Sequence, residues 1–208
     1  MVYDSTFTDI ANMALDWCGA SLSIDDINNK NNPDAILCRR NLEQAVTTEL
    51  DKYEWTFART TILAERNEDP DCQIDGYLCY DLPKDFSRLS MYRFFDDFAH
   101  SDYVPNEYRT SHYYFIQNKH LYIKRPIQYI TYQSNNVPIT DWPALFKDIV
   151  ALNLAQRIVS KIRGLDADIS FFITLYKEKL KDARHQELIT TEAVQGGFSP
   201  LQVQRIIP

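Results

Sequence analysis

Residues 141–192 constrain the fold more than any other stretch. Apolar residues recur there at Leu145, Ile149, Leu152, Ala155, Val159 and Ile162, at spacings of three or four, which places them along one side of a helix. Asp141 is the expected N-cap, with Trp142 and Pro143 in the first turn, where a missing N–H costs nothing. Gly164 follows the last apolar position, where a left-handed residue ends a helix. Beyond the turn Gly164-Leu165-Asp166, a second stripe of Ile169, Phe172, Tyr176, Leu180 and Ala183 predicts a second helix. Its polar side carries Lys177, Glu178, Lys181, Asp182 and Arg184. A helical hairpin with one apolar side needs a cover, and the rest of the chain must supply it.

Two further helices are available for that purpose. Ser5 is the expected N-cap of the first, whose stripe is Phe7, Ile10, Ala11, Ala14, Leu15 and Cys18, with Gly19 at its end. Residues 20–31 are polar and read as a loop in which Leu22, Ile24 and Ile27 turn inward. Asn32-Pro33-Asp34 opens the second helix, with Asn at the cap, Pro in the first turn and an acid at the positive end of the dipole. That helix is expected to run to about Tyr53 with Cys38, Leu42, Val46 and Leu50 on its core side.

Between the helical pairs the periodicity changes. The segment 55–60 alternates large and small residues, 65–73 is a charged loop around Pro70, and 77–82 reads as a short strand stopped by Pro83. The segment 87–95 is compatible with strand or short helix. Segments 112–115 and 121–124 form a hairpin around Asn118-Lys119, and 127–133 is another strand. More than half of the aromatic residues crowd into 77–132. The expected fold is therefore mostly α: a four-helix bundle with an inserted small β-rich, aromatic-rich subdomain and a flexible C-terminal arm. Its parts are 1–76, the N-terminal helices and connecting segment; 77–140, the insertion; 141–192, the helical hairpin; and 193–208, the arm.

A chain of 208 residues with 45% hydrophobic and 25% charged residues can bury a core without crosslinks or metal. Its net charge of -7 argues against an electrostatic grip on nucleic acid or an anionic membrane. No apolar run approaches the roughly 20 residues that span a bilayer, and Met1-Val2-Tyr3-Asp4 carries no secretory signal. Cys18 and Cys38 fall on apolar helix faces and act as small core residues. Cys72 and Cys79 flank a turn and are expected to be reduced, as in a cytosolic protein.

Catalytic patterns are weak. Asp96 stands four residues before His100, so on a helix the two could share a metal, with Asp97, His112 and His120 as further ligands, but a solvated loop is the stronger reading of that segment. The flanked hydroxyl nucleophile, phosphate-cradling glycine loop, paired-histidine zinc helix and calcium loop are all absent from the sequence. No cofactor and no enzyme activity are expected. The aromatic crowding suits a thin β core or a protein interface better than a nucleic-acid stacking platform, because its basic residues are offset by acids. After Gly196-Gly197 the apolar residues Phe198, Leu201, Val203, Ile206 and Ile207 make a segment too short for a core of its own. It either folds back or docks on a partner.

Several motifs, in combination, carry a resemblance. They are Pro33-Asp34-Ala35 with Arg39-Arg40-Asn41-Leu42, Trp55-Thr56-Phe57, Tyr80-Asp81-Leu82-Pro83-Lys84-Asp85-Phe86, the hairpin over 114–122, the strand over 127–132, and Trp142-Pro143-Ala144-Leu145-Phe146 leading into Ala151-Leu152-Asn153-Leu154-Ala155. In this order the chain resembles the head-to-tail adaptors of short-tailed bacteriophages, also called tail tubular protein A, over residues 7–183. The resemblance implies a helical bundle with a β-rich insertion, assembled as a dodecameric ring between the portal protein and the tail nozzle protein. Double-stranded DNA passes through the bore of that ring. The expected location is the virion neck, after synthesis in the host cytoplasm. An acidic chain suits such a channel, because like charge limits sticking. In this reading Arg157, Lys161, Lys177, Lys181 and Arg184 form a candidate face for contact between subunits, and the arm docks on the portal or on a neighbouring copy. The alternatives are a non-enzymatic interaction or scaffold module using the aromatic insertion and, remotely, a metal-dependent enzyme.

Overall fold

The computed structural model describes residues 4–20, 23–72, 74–94, 114–164 and 169–196. They form two compact units: a helical one from residues 1–57 and 138–208, and a β one from 58–137.

In the helical unit, α1 (Ser5–Trp17) is capped by Asp4, one residue before the expected Ser5; the carboxylate accepts from the N–H groups of Thr6 and Phe7. The carboxylate outranks the hydroxyl here because it also complements the helix dipole. The cap of α2 (Pro33–Lys52) is Asn32, whose Oδ1 accepts from Asp34 N at 2.9 Å and Ala35 N at 3.3 Å. The loop between them is pinned from inside. Asn12 exchanges two hydrogen bonds with the backbone of Ile24, Thr8 Oγ1 accepts from Ile27 N, and both isoleucines are buried.

The start of α3 differs from expectation. Residues Ile139–Asp141 form a 3-10 turn, and α3 runs Ala144–Ile162 with Pro143 at its N-cap and no side-chain cap bond. Trp142 and Pro143 thus precede the helix: Trp142 packs edge-on against Phe7 and Phe146 with ring centroids 5.9 and 5.1 Å away. Gly164, at φ +91°, follows the end of the helix.

The burial of α3 departs further from the one-sided reading. Ile149, Val150, Ala151, Leu152, Asn153, Leu154 and Ala155 are consecutive and all buried, so the helix is covered on every side. It packs against α1, α2 and α4 (Ser170–Gly196). Three helices therefore surround a central one. The last of them continues through Gly196, past the expected stop near Glu192.

Among the described residues, the β unit contains seven strands: β1 Arg59–Leu63, β2 Arg66–Asn67, β3 Leu78–Asp81, β4 Phe86–Phe94, β5 Tyr114–Gln117, β6 His120–Ile123 and β7 Ile127–Ser134. They form an antiparallel sheet in the order β1-β7-β4 and another in the order β2-β3-β6-β5. Tyr80, Leu82, Leu121 and Ile123 meet Leu89, Ile127, Ile130 and Tyr132 in a core of its own. A buried bond from Ile127 N to Tyr80 Oη joins the two sheets at 3.1 Å. The β5–β6 turn places Asn118 and Lys119 at φ +52° and +64°, the two left-handed positions of a tight hairpin.

The fold is consequently mixed α and β, and the expectation of a mostly α four-helix bundle is corrected. The β part is a compact unit with two sheets and a core of its own, and it takes in β1 and β2, which precede residue 77. Cys72 and Cys79, expected to be reduced, are joined by a disulfide. They sit beside Tyr122 in a small satellite cluster flanked by Tyr77 and Phe115.

Candidate interaction surface

The residues singled out from the sequence divide into three groups in the structure. The arm residues Phe198, Leu201, Val203, Ile206 and Ile207 lie outside the described residues, as do Asp96, Asp97, His100 and His112. His120 opens β6 and pairs with Asp81. The five cations of the candidate contact face lie on α3 and α4.

Those five are not equivalent. Lys161, Lys177, Lys181 and Arg184 are exposed. Lys177 and Lys181 are one turn apart on α4, interleaved with exposed Glu178 and Asp182, so the face is of mixed sign. Arg184 lies over the Tyr53 ring, 5.1 Å from its centroid, which ties its guanidinium to the end of α2. Arg157 is half-buried and points inward. Its Nε donates to Asn153 Oδ1 at 2.6 Å, and a terminal nitrogen donates to Thr48 Oγ1 at 3.0 Å. It is a strut between α2 and α3, while Lys161, Lys177 and Lys181 extend into solvent.

Next to this face the structure adds residues that the sequence reading assigned otherwise. Ile169, expected in the buried stripe, is 40% exposed, and Phe171 and Ile173 are exposed at 58% and 43%. Only Phe172 and Ala183 of the predicted stripe are fully buried. The start of α4 thus shows an apolar step to solvent, and its middle shows alternating charge. That combination is the usual anatomy of a protein contact, with an apolar centre and a polar rim.

What fixes this face in place is a buried polar network that the helix stripes did not reveal. Glu49 of α2 is fully buried. Its carboxylate accepts from Lys52 Nζ at 2.9 Å, from Tyr176 Oη at 2.8 Å and from Asn153 Nδ2. Its backbone carbonyl accepts from Trp55 Nε1 at 2.8 Å. One side chain therefore ties α2, α3 and α4 together. Burial pulls the Lys52 ammonium down, but its bonds to Tyr176 and Glu49 outweigh that, and its pKa is raised. The Tyr176 hydroxyl is also raised, first by burial and further by Glu49, against the opposing pull of Lys52. A second tie closes the far end of α4: Glu187 accepts from Thr56 N at 2.9 Å and Thr56 Oγ1 at 2.5 Å.

Two signals in the sequence could have found the network. Glu49 sits three residues after Val46 and four after Ala45, on the core face of α2, and Asn153 interrupts a run that is otherwise apolar. A polar residue at a core-facing position asks for a partner. Among the described helices none is long and apolar enough to cross a membrane. Compared with known proteins, the chain matches no family model and no curated sequence.

Proposed function

We propose that the chain is a structural virion protein, a head-to-tail adaptor whose copies form a ring joining the portal protein to the tail nozzle. The observation that carries this reading is the order of elements. Two helices are followed by a β unit over 58–137, and two more helices then return to complete the first unit. The motifs behind the resemblance fall at the joints of that arrangement. Asn32-Pro33 opens α2, Trp55-Thr56-Phe57 leaves it, Leu82-Pro83 separates β3 from β4, and Trp142-Pro143 leads into α3.

Chemistry supports the same role. A ring built from one kind of chain uses two different faces of each copy, closed by rotation. Ile173 and the cations Lys177, Lys181 and Arg184, which follow it at spacings of three or four along α4, give one such face. The arm with Phe198, Leu201, Val203, Ile206 and Ile207 docks on the portal or an adjacent copy. The net charge of -7 keeps passing DNA from adhering to the bore. The role is non-catalytic, needs no cofactor and places the protein at the virion neck. The test is to incubate the purified chain with the cognate portal and image the product by electron microscopy. The reading expects an added ring on one end of the portal; portal rings with nothing added defeat it.

A further inference from the structure

The satellite cluster of the β unit brings together a set of ligands that the adaptor role does not use. In the β3–β6 pair Cys79 stands opposite Tyr122 and Asp81 opposite His120. The period of two puts these four on one face of the sheet, while Tyr80, Leu121 and Ile123 turn to the main core. Cys72 arrives on the same cluster from the 3-10 turn Pro70–Cys72. One ligand atom from each of Cys72, Cys79 and His120 lies within 4.8 Å of the others. Both cysteines are buried and His120 is half-buried.

His120 also has a carboxylate partner of the kind that metal-binding histidines have. Its Nδ1 and Asp81 Oδ1 are 2.9 Å apart, and Asn67 Nδ2 donates to that same oxygen at 2.7 Å. With Nδ1–H donating to the carboxylate, Nε2 is the nitrogen left to take an ion. A carboxylate behind the histidine fixes the orientation of the ring, the usual support of a metal-bound imidazole.

We propose that reduction of the Cys72–Cys79 disulfide converts this cluster into a site for one zinc ion, held by Cys72, Cys79 and His120. Reduction by a dithiol delivers two electrons and two protons: the S–S bond breaks, two thiols form, and the dithiol becomes a disulfide. Zinc then takes both sulfurs as thiolates with release of those two protons, His120 Nε2 as the third ligand and water as the fourth. Two thiolates and one imidazole select zinc over the hard cations magnesium and calcium, which prefer oxygen. With Zn–S near 2.3 Å a tetrahedral ion holds its sulfurs roughly 3.8 Å apart. Side-chain rotation supplies that separation from Cα atoms 6.3 Å apart. In either state the turn Pro70–Cys72 is tied to β3, by a covalent crosslink when oxidised and by the metal when reduced.

The test uses the full chain, reduced with a phosphine that does not bind zinc and then transferred to anaerobic buffer. Zinc is titrated against a chromophoric chelator, and cobalt(II) is added in a parallel sample. The expected result is one zinc per chain in the reduced protein and none in the oxidised protein. A thiolate-to-cobalt charge-transfer band accompanies the tetrahedral cobalt spectrum. His120→Ala, at the start of a surface hairpin, weakens binding at least tenfold. Asp81→Asn, a positioning change, weakens it by roughly 10- to 100-fold. Circular dichroism verifies that both variants are folded. Substoichiometric binding by the reduced wild-type chain overturns the proposal. So does equal binding by the oxidised form, or undiminished binding by folded His120→Ala.

Discussion

Replacing Glu49 by alanine is the sharpest probe of how the helical unit holds its outer face. The carboxylate is fully buried and accepts three donors, from Lys52, Tyr176 and Asn153. Glu49→Ala removes every acceptor at once. Breaking a buried charge pair by deleting one partner costs about 3–5 kcal/mol. Lys52 retains 40% exposure of its side chain and recovers part of its hydration, so the lower end applies, about 3 kcal/mol. Asn153 recovers less, because it is buried between helices. Glu49→Gln keeps the volume and one acceptor oxygen, and its cost is about 1–2 kcal/mol. Urea unfolding reads the difference. All three tryptophans, Trp17, Trp55 and Trp142, belong to the helical unit, so intrinsic fluorescence reports that unit separately from the β one. With a slope of about 2 kcal/mol/M, 3 kcal/mol moves the midpoint down by about 1.5 M. A Glu49→Ala midpoint within about 0.5 M of wild type refutes the network as the tie between α2, α3 and α4. In a double-mutant cycle with Tyr176→Phe the two changes are less than additive, because they share one hydrogen bond.

Other consequences are direct. Leu152 sits in the all-round buried stretch of α3, so Leu152→Ala costs about 2–5 kcal/mol by the same fluorescence assay. Lys119→Gly relieves a left-handed non-glycine residue in the β5–β6 turn and is expected to stabilise the β unit by up to about 1 kcal/mol, read as a rise in the midpoint of far-UV circular dichroism. Burial raises the thiols of Cys18 to about 11 and Cys38 to about 12, from 9.0. Their contribution is fully present below pH 9.0 and is lost as pH rises from there through those values, so the urea midpoint falls between pH 9 and pH 12; Cys38→Ala reduces that fall. Lys177→Glu with Lys181→Glu leaves the urea midpoint near wild type and weakens ring formation on the portal, as measured by sedimentation.

The helices and most strands were legible because their signals are local. Asn32-Pro33-Asp34 specifies a cap through its own side chain, and Asn118-Lys119 marks a hairpin through two residues that tolerate left-handed backbone. The class of the fold was not. An apolar stripe gives the side of a helix that is buried at minimum, and it does not tell whether the remaining sides are buried too. In α3, Val150, Ala151 and Leu154 fill the sides that a one-faced reading leaves to solvent. The weight of the β part was also hidden, because β2 is only two residues long and sits in a charged segment that reads as loop. Its place is set by pairing with β3, which is non-local. The candidate surface was half legible. Lys177, Lys181 and Arg184 are exposed on α4, while Arg157 is held by Asn153, one turn back on its own helix, and by Thr48 of α2, whose proximity no spacing rule reveals. Ile169 stands just before α4 and is 40% exposed, and its apolar spacing alone does not tell how far neighbouring elements cover it.

The central claim is that copies of this chain close into a ring on a portal. Native mass measurement of the portal before and after addition of the purified chain tests it most directly. The account predicts a discrete gain corresponding to a dodecamer of the 24.3 kDa chain, with few intermediate species. A portal whose mass is unchanged at saturating chain concentration contradicts it.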